Sequence, residues 1–272
     1  MKIKFYGTRG SIPICEKDFL EFGGNTTCAK ITRDNGRISI LDAGSGIRKL
    51  GKELISEGFK QDQLFIDFTH FHLDHIQGFP FFAPCYDPDM VINILAMGKE
   101  RGIDNLGEIF QTQMKTEYFP VPLKEMGAKF NFLQIEKNQL NINDSKLTVI
   151  KQNHPGGSFG YRLEDKGEIL VFCTDLEHGE TVLPEIVDFS RNADVLVHEA
   201  QYTTEELKLF RGWGHSSYEQ AIELAEKAGV KKLVITHHDP DHDDAFLTQM
   251  EKECQERFPN CVLAREGMEI VL

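Results

Sequence analysis

The sequence predicts an α/β fold, read as one domain over residues 1–272, and three observations carry that expectation. Short apolar strands alternate with segments of helical periodicity. Five of those strands end in His or Asp, reaching His70, His154, Asp175, His198 and His237. Strands of open α/β sheets present their sites beyond their carboxyl ends, so five such ends converging on one sheet edge mark a site. The 272 residues are enough for one large domain with a sizeable core.

Taken in order, Lys2 to Tyr6 reads as a strand, and Thr27 to Leu41 as a hairpin turned by Asp34-Asn35-Gly36. Between them, Gly7-Thr-Arg-Gly-Ser-Ile-Pro13 and Phe22-Gly-Gly-Asn-Thr-Thr27 are glycine-rich turns that bring backbone close to something. Leu41-Asp-Ala-Gly-Ser-Gly46 closes a strand, and Ile47 to Glu57 carries helical periodicity up to Gly58. Asp42 either orients a ligating histidine or caps the turn. Met90 to Ala96 reads as a strand, Leu106 to Lys115 as a helix, and Tyr118-Phe-Pro-Val-Pro-Leu123 as a pocket wall, a subunit contact or core covering. Strands follow at Lys129 to Phe132, Lys146 to Gln152, Phe159 to Leu163 and Glu168 to Asp175. The remaining helices are expected at Thr181 to Ser190, Thr203 to Phe210, Ser217 to Ala228 and Asp244 to Phe258, the last with Asp243 and Asp244 placed to cap it.

Composition excludes some partners. A net charge of −13 disfavours a long polyanion, so a long nucleic acid is not the expected partner. The six cysteines form no C-x-x-C pair, which fits reduced thiols. The chain opens as a strand, and no run approaches a membrane span, so cytoplasmic residence with no membrane partner is expected.

The densest chemistry lies in Phe65-Ile-Asp-Phe-Thr-His-Phe-His-Leu-Asp-His75. Side chains two apart on an extended segment leave on one side, so His70 and His72 can grip one ion. Asp74 and His75, where a helix would begin, can face a second. Imidazole with carboxylate and no nearby thiolate suits zinc, manganese or iron.

With His154, Asp175 and His237 following in that order, the pattern resembles the metallo-β-lactamase superfamily over nearly the whole chain. The resemblance implies a four-layer αβ/βα sandwich with two divalent metal ions, zinc first and manganese or iron as alternatives. It assigns His70, His72 and His154 to one ion and Asp74, His75 and His237 to the other, with Asp175 bridging. Gly7-Thr-Arg-Gly-Ser-Ile-Pro13, Gly160-Tyr-Arg-Leu-Glu164, His198-Glu-Ala200 and Gly214-His-Ser-Ser217 resemble the ribonuclease Z branch. There the position of His215 gives a proton to the leaving oxygen, held by that of Glu199, and Asp74 joins the catalytic set. The long basic arm with which tRNA-processing members grip RNA, in many of them between the positions of His154 and Asp175, has no counterpart, because only about twenty residues separate them here. Gly23-Gly-Asn-Thr-Thr-Cys28 and Thr236-His-His-Asp-Pro-Asp-His-Asp-Asp244 resemble the armless members, including homodimeric anti-Pycsar type enzymes that open cyclic nucleotides.

The expectation is therefore hydrolysis of a small phosphodiester, foremost a 3′,5′-cyclic nucleotide, by a bridging hydroxide with His215 as general acid, in a homodimer. Thioester or lactone hydrolysis of the glyoxalase II type and RNA 3′-end processing are the alternatives, and a non-catalytic metal binder is a third. His198 and His238 have open roles, and His178 reads as a loop residue that does not ligate.

Overall fold

Successive residues of a strand face opposite sides of its sheet, and in this chain many strands are apolar on both sides. In the computed structural model, which describes residues 1–59, 61–142 and 144–272, that pattern becomes two packed seven-stranded sheets. The first takes β1 (Lys2–Gly7), β2 (Cys28–Thr32), β3 (Ile38–Leu41), β4 (Gln63–Asp67), β5 (Val91–Met97) and β6 (Lys129–Ile135). The second takes β7 (Gln139–Ile142), β8 (Ser145–Gln152), β9 (Ser158–Asp165), β10 (Glu168–Cys173), β11 (Val195–Glu199), β12 (Lys232–Thr236) and β13 (Cys261–Leu263). The chain then returns as β14 (Glu269–Val271) to pair with β1 in the first sheet. Each sheet carries a parallel run that reaches one edge, β3 to β6 in one and β10 to β13 in the other.

Seven α-helices are described: α1 (Ile47–Ser56), α2 (Leu73–Ile76), α3 (Leu106–Gln113), α4 (Pro184–Phe189), α5 (Thr204–Leu209), α6 (Tyr218–Ala228) and α7 (Asp244–Arg257). In α1, Ile47, Leu50 and Leu54 fall on one face and pack with Phe110 of α3 against Ile40 and Ile66. Leu224 of α6 and Leu247 of α7 cover Leu196, Leu233 and Ile235 on the other sheet. Phe5, Met97, Phe172, Val197 and Val234 fill the space between the sheets. Each such side chain, fully buried, contributes roughly 1.5–3 kcal/mol. The four-layer αβ/βα sandwich implied by the resemblance is the architecture observed.

Several expectations need correction. The ligand-bearing strand ends belong to two sheets that share one edge of the sandwich, since β4 lies in the first and β8, β10, β11 and β12 in the second. β7, β13 and β14 have only three or four residues each, too few for a period-two signal. α4 starts at Pro184 and not at Thr181, because proline at the first turn has no N–H to leave unpaired. Asp243 caps α7, whereas the Asp244 carboxylate accepts the Glu21 and Phe22 N–H groups and anchors that loop. β9 and β10 are joined by the two residues Lys166 and Gly167, so no arm projects between His154 and Asp175. Among the described residues no helix is long and apolar enough to cross a membrane.

Candidate metal centre

Four carboxyl-terminal turns and one short helix bring the site together. The turn after β4 delivers His70 and His72, and α2 delivers Asp74 and His75. His154 follows β8, Asp175 follows β10, and His237 follows β12. Donor atoms of His70, His72 and His154 lie within 4.8 Å of one another, as do those of Asp74, His75, Asp175 and His237. All seven residues expected to hold metal are therefore gathered in one place.

Asp42 explains how two of the rings are aimed. Its carboxylate accepts from His75 Nδ1 at 2.8 Å and from the Thr69 hydroxyl at 2.8 Å, and it also accepts the Thr69 N–H at 2.9 Å. Because that hydroxyl donates to Asp42, it must accept from His70 Nδ1, 3.1 Å away. Asp42 thus fixes the proton of both rings on Nδ1 and turns both Nε2 lone pairs inward. His154 Nδ1 donates to the Gly214 carbonyl at 2.8 Å, with the same consequence. The turn-capping alternative for Asp42 is the lesser part of its role.

Asp175 stands between the two groups. Its oxygens lie 3.2 Å from His75 Nε2, 3.3 Å from His237 Nε2, 3.7 Å from His70 Nε2 and 3.9 Å from His154 Nε2. Burial opposes its charge, but His237, His75 and His70 hold its pKa well below the carboxylate range. Asp74 is likewise penalised by burial and held low by His75 and His237. Burial also works against charge on His75, which Asp175, Asp74 and Asp42 nonetheless raise.

These donors fit divalent ions. A tetrahedral ion with bonds near 2.0–2.1 Å holds its ligand atoms roughly 3.3 Å apart. The His75, His237, Asp74 and Asp175 donors are spaced at 3.2–3.4 Å. The buried His70 Nε2 has no hydrogen-bond partner among the described residues, as a ligating nitrogen requires.

Beside the cluster lies His215, with a ring nitrogen within 4.8 Å of donor atoms of His154 and Asp175. His215 Nδ1 donates to Glu199 Oε1 at 3.2 Å. Glu199 is itself immobilised by the N–H groups of Leu176, Ser216 and Gln201. Burial acts against the imidazolium, yet the Glu199 carboxylate lifts its pKa to about 9.

The neighbouring histidines are structural. His178 and His198 are buried and share a 3.3 Å contact, and His198 Nδ1 donates to the Glu199 carbonyl. His238 donates to the Ala264 carbonyl at 2.9 Å. One glycine of the first turn, Gly10, and Gly214 beside His215 lie against rings of the site. A Cβ on Gly10 would come within 2.4 Å of the His237 ring, and one on Gly214 within 2.1 Å of the His154 ring.

Two supporting residues carry no sequence signal. The Ser11 N–H donates to Asp74 Oδ2 at 2.9 Å. Arg101, in the loop after β5, donates to the Phe68 and Thr69 carbonyls at 2.9 and 3.2 Å and so braces the turn into His70. Tyr118 is exposed and with Leu73 lines an open cleft of ≈ 820 Å³ beside the His72–Asp74 turn, whereas Leu123 is buried and Phe119 packs on the core.

Comparison with known proteins agrees with this geometry. The model of the beta-lactamase superfamily domain matches residues 40–238. Over 320 aligned residues the chain is 24% identical to the ribonuclease Z of Ligilactobacillus salivarius, covering 98% of this chain and 95% of that one. The metallo-beta-lactamase fold protein YhfI of Bacillus subtilis superposes with a TM-score of 0.72 at 20% identity, covering 99% of this chain and 98% of its own. A diphosphatase of the PhnP family superposes with a TM-score of 0.70 at 17% identity, covering 100% and 97%. The fold family implies divalent metal ions, which the seven gathered donors suit. The chain belongs to the beta-lactamase superfamily and is an enzyme of the hydrolase class with ribonuclease Z relatives.

Proposed function

We propose that this protein is a phosphodiesterase with two divalent metal ions that acts on small phosphodiesters, foremost 3′,5′-cyclic nucleotides, and opens them to nucleoside monophosphates. His70, His72 and His154 hold one ion, Asp74, His75 and His237 the other, and Asp175 reaches both. Imidazole and carboxylate donors without thiolate favour zinc, with manganese or iron as alternatives. When bound, the ions supply a water activated at neutral pH and neutralise charge on the phosphoryl oxygens.

The observation that carries this reading is the His215–Glu199 pair. With Nδ1 committed to Glu199, whose carboxylate favours the imidazolium, His215 is suited to carry a second proton on Nε2. As the water oxygen bonds to phosphorus, the bond from phosphorus to the ribose oxygen breaks, and the Nε2 proton passes to that departing oxygen. General acid assistance of this kind is worth about 10²–10⁴-fold. A thiolate leaving group needs no such donor, so the pair favours a diester over a thioester. Asp74, held by the Ser11 N–H, is placed to orient the attacking water as well as an ion.

Substrate size follows from the surroundings. The two-residue β9–β10 turn and the net charge of −13 disfavour a long RNA, while Leu73 and Tyr118 offer an apolar wall for a base. A homodimer in the cytoplasm, with the second copy closing this face, belongs to the same proposal. RNA 3′-end processing is the second reading, favoured by the end-to-end likeness to ribonuclease Z.

The test is turnover by the zinc- or manganese-loaded protein of a cyclic nucleotide panel, bis-p-nitrophenyl phosphate, a tRNA precursor with a 3′ trailer, and a thioester. Cyclic nucleotide opening that drops by at least 10²-fold in His215→Ala, with metal content unchanged, is the expected result. Thioester turnover without diester cleavage refutes it, and cleavage of the tRNA precursor alone selects the second reading.

A further inference from the structure

The two sheets part alongside β4, in a space that runs from Gln63 at the start of that strand to Asp67 at its end. Phe65 lies mid-strand in β4, paired on both sides by β3 and β5, yet is only half-buried, as are Leu140, Ile142 and Leu147 on the facing sheet. Between them is a cavity of ≈ 240 Å³ that includes none of the metal-centre residues. Its walls are largely apolar, with Ser39 of β3 between polar groups at its two ends.

At one end stand Arg33 and Arg37, on either side of the β2–β3 turn, with Gln63 at the start of β4. Neither guanidinium has an ion pair among the described residues, and the adjacent Asp34 is taken by the N-terminal ammonium and Lys166. At the other end is Asp67, the last residue of β4, with Tyr161. Gln63, Phe65 and Asp67 alternate onto the same face, so the two ends are about 13 Å apart along the strand.

Asp67 is unexplained by the fold or by the proposed chemistry. It is 6% exposed, and its carboxyl makes no hydrogen bond or ion pair among the described residues. Burial pushes its pKa up to about 7, with Arg33 and Arg101 acting in the opposite direction. A buried polar group left unpaired is costly, and a cavity opening onto it gives it room for a partner.

We propose that this cavity is a second binding site, for a medium-chain carboxylate with a hydroxyl at its far end. The carboxylate sits on Arg33 and Arg37, which suit planar two-point recognition. The hydrocarbon lies between the sheets, and the hydroxyl reaches Asp67. A hydroxyl donates to a carboxylate and accepts from a carboxylic acid, so it satisfies Asp67 in either form.

The experiment is calorimetric titration of the full metal-loaded protein with ω-hydroxydecanoate, decanoate and decanol. One molecule of ω-hydroxydecanoate binds per chain, decanoate binds about tenfold more weakly, and decanol more weakly still. The Arg33→Glu, Arg37→Glu double variant loses binding while its hydrolytic turnover stays unchanged. Ser39→Phe, which fills the cavity from the half-buried centre of β3, loses binding as well. Absence of saturable binding, equal affinity for decanol, or binding that survives Ser39→Phe overturns the proposal.

Discussion

Asp42→Asn isolates how the metal donors are oriented, because it changes hydrogen-bond direction with almost no change in shape. Asp42 has a positive φ of 58°, which asparagine tolerates, so the backbone is not strained by the exchange. The amide oxygen still accepts the Thr69 N–H, but the amide nitrogen now faces His75 Nδ1 and the Thr69 hydroxyl. It can only donate, so His75 must move its proton to Nε2, the nitrogen that points into the cluster. An Nε2 bearing a proton cannot ligate. Loss of such an orienting partner costs about 10–100-fold in metal affinity, or roughly 1.4–2.8 kcal/mol. Competition of zinc between the protein and a chromophoric chelator reads this directly, and melting of the metal-free protein shows that the fold is kept. Unchanged zinc affinity in a folded Asp42→Asn protein would refute the orienting role.

Other consequences follow from the same geometry. His215 works as an acid only while protonated, so diester turnover falls as pH rises through a limb at or below about 9, bound dications pushing that limb lower. Glu199→Gln, which removes the carboxylate that raises His215, shifts the limb to lower pH in a pH–rate profile, and a merely structural Glu199 leaves it in place. Gly10→Ala forces the His237 ring aside, and a displacement near 1 Å costs about 10²-fold in turnover, measured beside zinc content. Phe110→Ala, at a fully buried ring packed on Phe68 and Phe79, lowers stability by about 3–5 kcal/mol in urea denaturation. Glu53 is opposed by burial but held at about 2 by Lys4, Tyr6 and Lys30, below its ordinary 4.5, so its stabilisation is complete above pH 4.5 and fades as pH falls through 2. Acid melting curves of Glu53→Gln lack that component, and curves parallel to the parent protein count against the ion-pair cluster.

The metal donors were legible because their residue types are scarce and occur where strands stop. His70, His72, Asp74, His75, His154, Asp175 and His237 each lie just beyond a strand, whereas Glu199 and His215 stood out through the resemblance of His198-Glu-Ala200 and Gly214-His-Ser-Ser217 to the ribonuclease Z branch. The helices were legible to within a few residues, since Asn105, Thr203, Ser217 and Asp243 cap four of them with side-chain oxygens. Arg101 escaped notice because its contacts are to carbonyls 32 and 33 residues away, and no local pattern announces a long-range backbone contact. Ser11 escaped because it acts through its N–H, which every residue but proline has. The division of strands between two sheets was equally hidden, since buried strands read alike in either sheet.

Backbone strain unites these hidden and visible parts. Asp42, Asp175 and His237 have φ values of 58°, 60° and 59°, and Ser11 has 62°. A left-handed residue other than glycine costs roughly 1–2 kcal/mol, less for aspartate, and four of them meet at one site. Each of the first three lies within two residues of the end of a strand, β3, β10 or β12. A chain leaving a strand in the usual extended conformation keeps its side chains alternating above and below the sheet. Turning left-handed at the last step instead points a side chain along the strand axis, off the sandwich edge, which is the direction from which both metal groups are reached. Gly10 against the His237 ring and Gly214 against the His154 ring let neighbouring backbone close on these donors without pushing them back. Strain at the strand ends and bare backbone against the rings are therefore one device, which brings the donors Asp175 and His237 from the second sheet and the orienting carboxylate of Asp42 from the first to a common point.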